Sequence, residues 1–366
     1  MKICVVGAGS IGGLLGARLA LAGEDISLIA RGAHLQAIRE KGLRVIMNDG
    51  IEHHAKRVHA SDDMHSVGHQ DLVILALKAH QIEPVVEDIR SLFGPHTMLL
   101  TTQNGLPWWY FQRQGGEYEG QVLHAVDPNG VLASSIESER IIGCIAYPAA
   151  HITEPGVIRH IEGLRFPVGE LDGSISERVR AVSECLVNAG FKSPILEDLR
   201  SEIWLKAWGN LSFNPISALT HSTLVDICQF PLTRDLAANM MREAQTIAEK
   251  LGVSFRVSLE KRIDGAERVG KHKTSMLQDV EAGKGLETDA LIGAVVELGR
   301  LTGVPTPYIS STYAMVKLLS KTVEEEKIKV AAQPLELVYS DRGAQATRDW
   351  RALQYAEQAY ASGSGN

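Results

Sequence analysis

The stretch MKICVVGAGSIGGLLGARLALAGEDISLIAR, residues 1–31, decides the fold. Its KICVV (2–6) is apolar, β-branched and closed by glycine, which reads as a short buried strand. SIGGLLGARLALAG follows as a helix with one apolar face, stopped at Gly23. DISLIA (25–30) makes a second strand. Between the first strand and the helix, Gly7-Ala8-Gly9-Ser10-Ile11-Gly12 fits G-x-G-x-x-G. Gly7 suits the tight turn, Gly9 lets backbone approach a pyrophosphate, and Gly12 lets helix pack close to strand. The helix N-terminus then offers free N–H groups and a positive dipole end to phosphates. This order of parts reads as a dinucleotide-binding βαβ unit, with a purely structural glycine turn as the competing reading.

The second strand bears on which dinucleotide. An NAD site usually ends that strand with a carboxylate for the ribose 2′-hydroxyl. Here it ends in Arg31, with Gly32 and His34 close behind, while Asp25 lies at the opposite end. A guanidinium holds a 2′-phosphate that a carboxylate would repel, so NADP(H) is favoured. Lys78 follows the buried strand DLVILAL (71–77), at the carboxyl edge where open parallel sheets take ligands; an ordinary solvated lysine is the plainer reading. Asn104-Gly105 end the strand MLLTTQNG (98–105), and Asn104 is either a cofactor and substrate contact or a turn asparagine.

Working outward, short apolar strands alternate with helices, which indicates a parallel sheet covered on both faces. Segments 141–147, 157–161 and 165–169 read as further strands, and FKSPILE (191–197) as the last one. From about residue 199 the patterning is helical over 200–220, 231–252, 257–270, 273–283, 287–302 and 309–325. The expected fold is therefore α/β: a Rossmann-type parallel-sheet domain over 1–196, then an all-helical domain over 199–330. An extension over 331–366 is expected to be partly helical with a disordered Ser/Gly end.

Composition narrows the class. The 366 residues exceed one ordinary core, and 45% hydrophobic with 22% charged residues is usual for globular proteins. A net charge of −7 argues against broad nucleic-acid or anionic-membrane binding. The four cysteines (4, 144, 185 and 228) have no metal-ligand spacing, so no metal site is expected and a reducing compartment fits. With no signal-like or membrane-spanning apolar run, cytoplasm is the expected location.

In the helical half, Lys206, Asn210 and Asn214 recur every four residues and share one stripe, either a pocket wall or a solvated face. Asn214-Pro215 suggests a local kink. Ser275 opens SMLQD, and Glu287 stands 12 residues later; by spacing alone these are a helix N-cap and a first-turn carboxylate.

Taken together, GAGSIG, Arg31, LKAHQ around Lys78, QNG around Asn104, K-x-x-x-N-x-x-x-N at 206–214 and SMLQD followed by Glu287 make the sequence resemble the ketopantoate reductase (2-dehydropantoate 2-reductase) family, over about residues 1–325. The resemblance implies NADPH-dependent reduction of a small 2-oxo acid, with Lys206 as general acid and Glu287 as a catalytic residue contacting cofactor or substrate. It implies substrate contacts from Asn104, Lys206, Asn210, Asn214 and Ser275. Cofactor contacts would come from the glycine turn, Arg31, Lys78, Asn104, Glu287 and the backbone of Ala150. It also implies a homodimer through the helical half. Two departures keep alternatives open. Thr223 and Leu224 stand where typical members carry another substrate-binding asparagine, and PWWYF (107–111) places Trp108 and Trp109 beside the expected pocket. A reductase of a bulkier 2-oxo acid, in the manner of a D-2-hydroxyacid dehydrogenase, or a non-catalytic NADP(H) sensor, would fit those features.

Overall fold

The computed structural model describes residues 1–333; the remainder, with most of the expected C-terminal extension and its added helix, lies outside the described residues. Met1–Lys329 forms one compact unit. Its strands are β1 (Lys2–Val6), β2 (Asp25–Ile29), β3 (Leu43–Ile46), β4 (Glu52–Ala55), β5 (His59–Ser61), β6 (Gln70–Leu75), β7 (Phe93–Thr101), β8 (Ile141–Cys144), β9 (Ala149–Glu154), β10 (Val157–Glu162) and β11 (Val168–Glu170).

Seven strands build one sheet in the order β11-β8-β7-β6-β1-β2-β5, parallel except where β11 runs against β8. The inner strands are apolar on both faces, as a covered parallel sheet requires: four of the five residues of β1 and of β2 are buried. The expected strand at 191–197 is reduced to isolated bridges, Arg165 to Lys192 and Val168 to Ile195. Pro194 between them has no N–H to give a ladder.

A second sheet, β4-β3-β10-β9, was not foreseen. It corrects the expectation for the helix Ser10–Leu21, which packs against both sheets rather than burying one face. Leu14 and Leu15, adjacent in sequence, are both fully buried. Gly13 brings the helix so close to β10 that a Cβ there would lie 2.9 Å from Ile158 Cδ1.

From Leu199 the chain is helical: Leu199–Thr220, Leu224–Gln229, Pro231–Lys250, Leu259–Arg268, Ser275–Ala282, Ala294–Leu301 and Pro307–Glu325. Asp198 caps the first of these by accepting the Ser201 N–H at 2.9 Å. That helix continues through Pro215, which leaves one carbonyl of the preceding turn without its usual donor. The helix expected over 287–302 instead begins as a π-helical turn, Asp289–Gly293. The Leu106 N–H, in the loop after β7, donates to the Ala290 carbonyl of this turn at 2.9 Å. Gly105 sits at φ +81, and a Cβ there would lie 2.2 Å from the same oxygen. The helical half is thus locked to the parallel sheet by backbone alone at this point.

Gly105→Ala combines a left-handed backbone with a steric clash. It is expected to lower the free energy of unfolding by about 2–4 kcal/mol, read from urea denaturation.

Candidate active site

The carboxyl ends of β6 and β7 carry Lys78 and Asn104, and the loops behind them are pinned together. Thr102 Oγ1 and Gln103 Nε2 both donate to the Leu75 carbonyl, at 2.8 and 2.9 Å. Asn104 projects between the two halves: its Oδ1 accepts from Lys206 Nζ at 2.7 Å, and its Nδ2 donates to Glu287 Oε2 at 3.3 Å. The Lys206 ammonium also donates to the Ala146 carbonyl and lies 5.8 Å from the centroid of the Tyr147 ring.

Burial dominates the electrostatics here. Loss of water pushes the Lys206 ammonium down to about 8, with Glu287 and Cys144 pulling the other way. The same loss pushes the Glu287 carboxyl up, opposed by Lys78, by the Asn104 hydrogen bond and by Lys206. Two cavities flank the Asn104 bridge. One, of ≈ 350 Å³, is lined by Gln103, Gly105, Trp109, Cys144, Ile203 and Lys206. The other, of ≈ 550 Å³, is lined by His80, Glu83, Val126, Leu286, Glu287 and Asp289.

The other expected residues are placed less directly. Lys78 is tied to the helical half, donating to Asp279 Oδ2 at 2.8 Å and to the Gly285 carbonyl at 2.7 Å, so it is not a freely solvated lysine. Asn210 is half-buried and Asn214 buried on the Lys206 helix, while Ser275 is exposed on a helix packed against it. Among the described residues no hydrogen bond joins these three side chains to the Asn104 bridge. Thr274, not Ser275, is the N-cap, accepting the Leu277 N–H through Oγ1 at 3.3 Å. Glu287 precedes the π-helical turn instead of opening an α-helix. Ala150 is half-buried in β9, paired with His160. Thr223, in place of the expected asparagine, caps Leu224–Gln229 through Asp226. Trp108 and Trp109 are core residues, 2 % exposed, and Trp109 also walls the cavity beside Lys206.

A dinucleotide fits the glycine turn. No side chain caps the helix Ser10–Leu21, and a Cβ built on Gly9 meets nothing within 4 Å. At Gly12 a Cβ would lie 2.1 Å from the Gly7 carbonyl oxygen, so the turn closes only around glycine. Ala8, Ser10 and Ile11 complete that turn, and Arg31 is exposed at the end of β2.

Sequence reasoning missed Glu202, four residues before Lys206 on the same stripe. It is 2 % exposed, accepts from the Tyr147 hydroxyl at 2.6 Å and from Arg256 Nη2 at 2.5 Å, and pairs with Arg165. Burial raises its carboxyl, but Tyr147 and the two arginines outweigh that and hold it below the usual range. Extending the 206–210–214 stripe backward by one step would have found it. The Ala146 carbonyl has no sequence signal at all.

Comparison with known proteins places these features in a lineage. The family model for ketopantoate reductase PanE/ApbA matches residues 3–173, and the model for its C-terminal part matches 198–320. A 2-dehydropantoate 2-reductase of Mesorhizobium japonicum is 53% identical over 321 residues, spanning 87% of this chain and 98% of that protein. A crystal structure from Ralstonia solanacearum MolK2, provisionally named a ketopantoate reductase, superposes with a TM-score of 0.83 at 41% identity, over 88% of this chain and 98% of that one. The 2-dehydropantoate 2-reductase structure from Geobacter metallireducens GS-15 gives 0.76 at 26% identity, over 87% of this chain and 99% of that one.

Glu202→Gln keeps the shape and removes the charge that Arg165 and Arg256 neutralise. Because Arg256 is 60% exposed, the expected loss lies near or below the low end for a buried pair, about 2–3 kcal/mol by chemical denaturation.

Proposed function

The chain belongs to the ketopantoate reductase family, and from that premise we propose that it reduces 2-dehydropantoate to pantoate with NADPH. It is an oxidoreductase acting on a CH–OH group, served by a nicotinamide dinucleotide. The observation that carries the reading is the Lys206 ammonium, desolvated and aimed by Asn104 and Ala146 at the junction of the two halves.

When bound, the reduced cofactor supplies a hydride to the keto carbon. The glycine turn from Gly7 to Gly12 would hold its pyrophosphate, Arg31 its 2′-phosphate, and Lys78, Asn104, Glu287 and the Ala150 backbone its remaining polar edge. Lys206 stabilises the negative charge growing on the keto oxygen and delivers its own proton there, a contribution of roughly 10²–10⁴-fold. Asn104 keeps the lysine in place by accepting one of its hydrogen bonds. Asn210, Asn214 and Ser275 would orient the acid by hydrogen bonds. Glu287 steadies the Asn104 amide from the other side and supplies the charge that offsets part of the lysine's desolvation.

The bulkier-substrate reading is not favoured: the 53% identity to a 2-dehydropantoate 2-reductase supports the ketopantoate reading, and Trp108 is committed to the core, although Trp109 also walls the cavity beside Lys206. Four buried, unpaired cysteines accord with a cytoplasmic enzyme, and among the described residues no helix is long and apolar enough to cross a membrane.

The direct test follows NADPH oxidation with 2-dehydropantoate and a panel of other 2-oxo acids. 2-Dehydropantoate should show the highest kcat/KM, and no preference for it would remove the substrate assignment. Because the acid must be protonated, kcat/KM for reduction should be level below the Lys206 ionisation and drop about tenfold per pH unit above about 8. Lys206→Ala should cost roughly 10²–10⁴ in kcat and abolish that limb. Arg31→Ala should weaken NADPH about 10- to 100-fold while barely moving NADH. Equal losses would remove the 2′-phosphate role.

A further inference from the structure

Lys206 is met by three groups, and two of them come from one dipeptide. Asn104 Oδ1 accepts from its ammonium at 2.7 Å, and the Ala146 carbonyl accepts from it as well. The third is the ring of the next residue, Tyr147, whose centroid lies 5.8 Å from Lys206 Nζ. An aromatic face attracts a cation out to roughly 6 Å from its centroid. An ammonium has three protons to give. Asn104 and Ala146 engage two of them, and the ring supports the charge while leaving the third for the keto oxygen.

Ala146 and Tyr147 stand in the link between β8 and β9, outside both strands. The Tyr147 N–H donates to the Arg165 carbonyl at 3.1 Å, and its hydroxyl donates to Glu202 Oε1 at 2.6 Å. Glu202 lies one turn before Lys206, so the helix that carries the lysine also moors the ring beside it. The Arg165 guanidinium, 5.1 Å from the centroid of that ring, pairs with the same carboxylate.

Glu202 does not act on the lysine by its charge. The charges that reach Lys206 are those of Glu287 and Cys144, whereas Glu202 is engaged by Arg165, Arg256 and the Tyr147 hydroxyl. Its influence therefore runs through the ring. Burial, and then Glu202, push the Tyr147 hydroxyl upward, and burial pushes the Cys144 thiol up to about 12. Both stay neutral over the range in which the lysine titrates.

We propose that Tyr147 is the positioning residue for the proton-donating ammonium: its ring face supports the charge, and its hydroxyl, moored to Glu202, holds the 146–147 link that aims Lys206. This rests on Lys206 as the proton donor argued above, and it adds the group that decides how that donor is held.

The test uses the full chain with NADPH and 2-dehydropantoate. It compares Tyr147→Phe, Tyr147→Leu and a third variant carrying at position 147 a phenylalanine trifluorinated along the ring edge. Fluorination keeps the shape of the ring but strips negative charge from its face. Tyr147→Phe keeps the face and loses the mooring, so kcat should fall about 3- to 10-fold with the alkaline limb of kcat/KM unmoved. In the fluorinated variant that limb should move to lower pH by about half a unit to one unit relative to Tyr147→Phe, because the ammonium has lost support. Tyr147→Leu should shift the limb the same way and cost about 30- to 100-fold in kcat. KM for the acid, and NADPH affinity read by fluorescence titration, should stay near wild type throughout.

An identical limb in the fluorinated and phenylalanine variants would overturn the proposal, as would a kcat in Tyr147→Leu within about threefold of wild type. Should the leucine variant fail to fold, the two aromatic variants decide between these outcomes. If the wild type reduces no 2-oxo acid, the donor reading fails while the ring's hold on the lysine stays measurable. Isotope-labelled lysine then reports it by NMR, with the Lys206 signal assigned by its loss in Lys206→Arg. That signal should titrate at lower pH in the fluorinated variant than in Tyr147→Phe, and equal titrations would end the proposal.

Discussion

One carboxamide spans the junction between the sheet and the helices. The Asn104 side chain accepts from an ammonium with its oxygen and donates to a carboxylate with its nitrogen. Both charged groups have been taken out of water, and each is thereby pushed toward its neutral form: burial lowers Lys206 and raises Glu287. Each also pulls the other back toward its charged form. A lysine whose ionisation is lowered to about 8 is suited to giving up a proton, and the amide stands between that lysine and the carboxylate.

The loop that carries this amide is fixed by backbone contacts and by buried or half-buried side chains. Thr102 and Gln103 fasten its loop to β6, and the Leu106 N–H docks on the π-helical turn that follows Glu287. The π-helical turn matters because a widened turn presents a carbonyl that a regular helix would keep for itself. Lys78 reinforces the junction through Asp279, and Glu297 does so by accepting the N–H groups of His124 and Ala125. The geometry around Asn104 is therefore shared between the two halves of the chain.

Much of this was legible in the residues, and the limits have physical reasons. The parallel strands announce themselves because both their faces are buried, which leaves runs such as DLVILAL without polar interruption. The second sheet does not: EHHA in β4 is polar, LRVI in β3 is four residues long, and although these two pair with each other, β3's other partner, β10, lies more than a hundred residues away. In the site, Lys206 and Asn104 stood out as candidates by their place in strand end and helix stripe, Glu287 came only with the family resemblance, and the structure brings the three together. Those that act through a carbonyl, as Ala146 does, or through a partner from a distant helix, as Asp279 does for Lys78, leave no local pattern. Ser275 shows the opposite error: its capping role belongs to Thr274, because a cap is set by the backbone one residue away.

The helix that follows the glycine turn is wedged between two sheets, and the strands covering its far side include β9 and β10, near residue 150. During synthesis the nucleotide half is consequently incomplete until well over a hundred residues have left the ribosome. A nascent chain shorter than that carries Leu14 or Leu15 on a bare apolar flank, a surface of the kind that chaperones hold and that aggregates grow from. The order in which this chain emerges thus sets a waiting period, and sealing of the flank by β10 ends it.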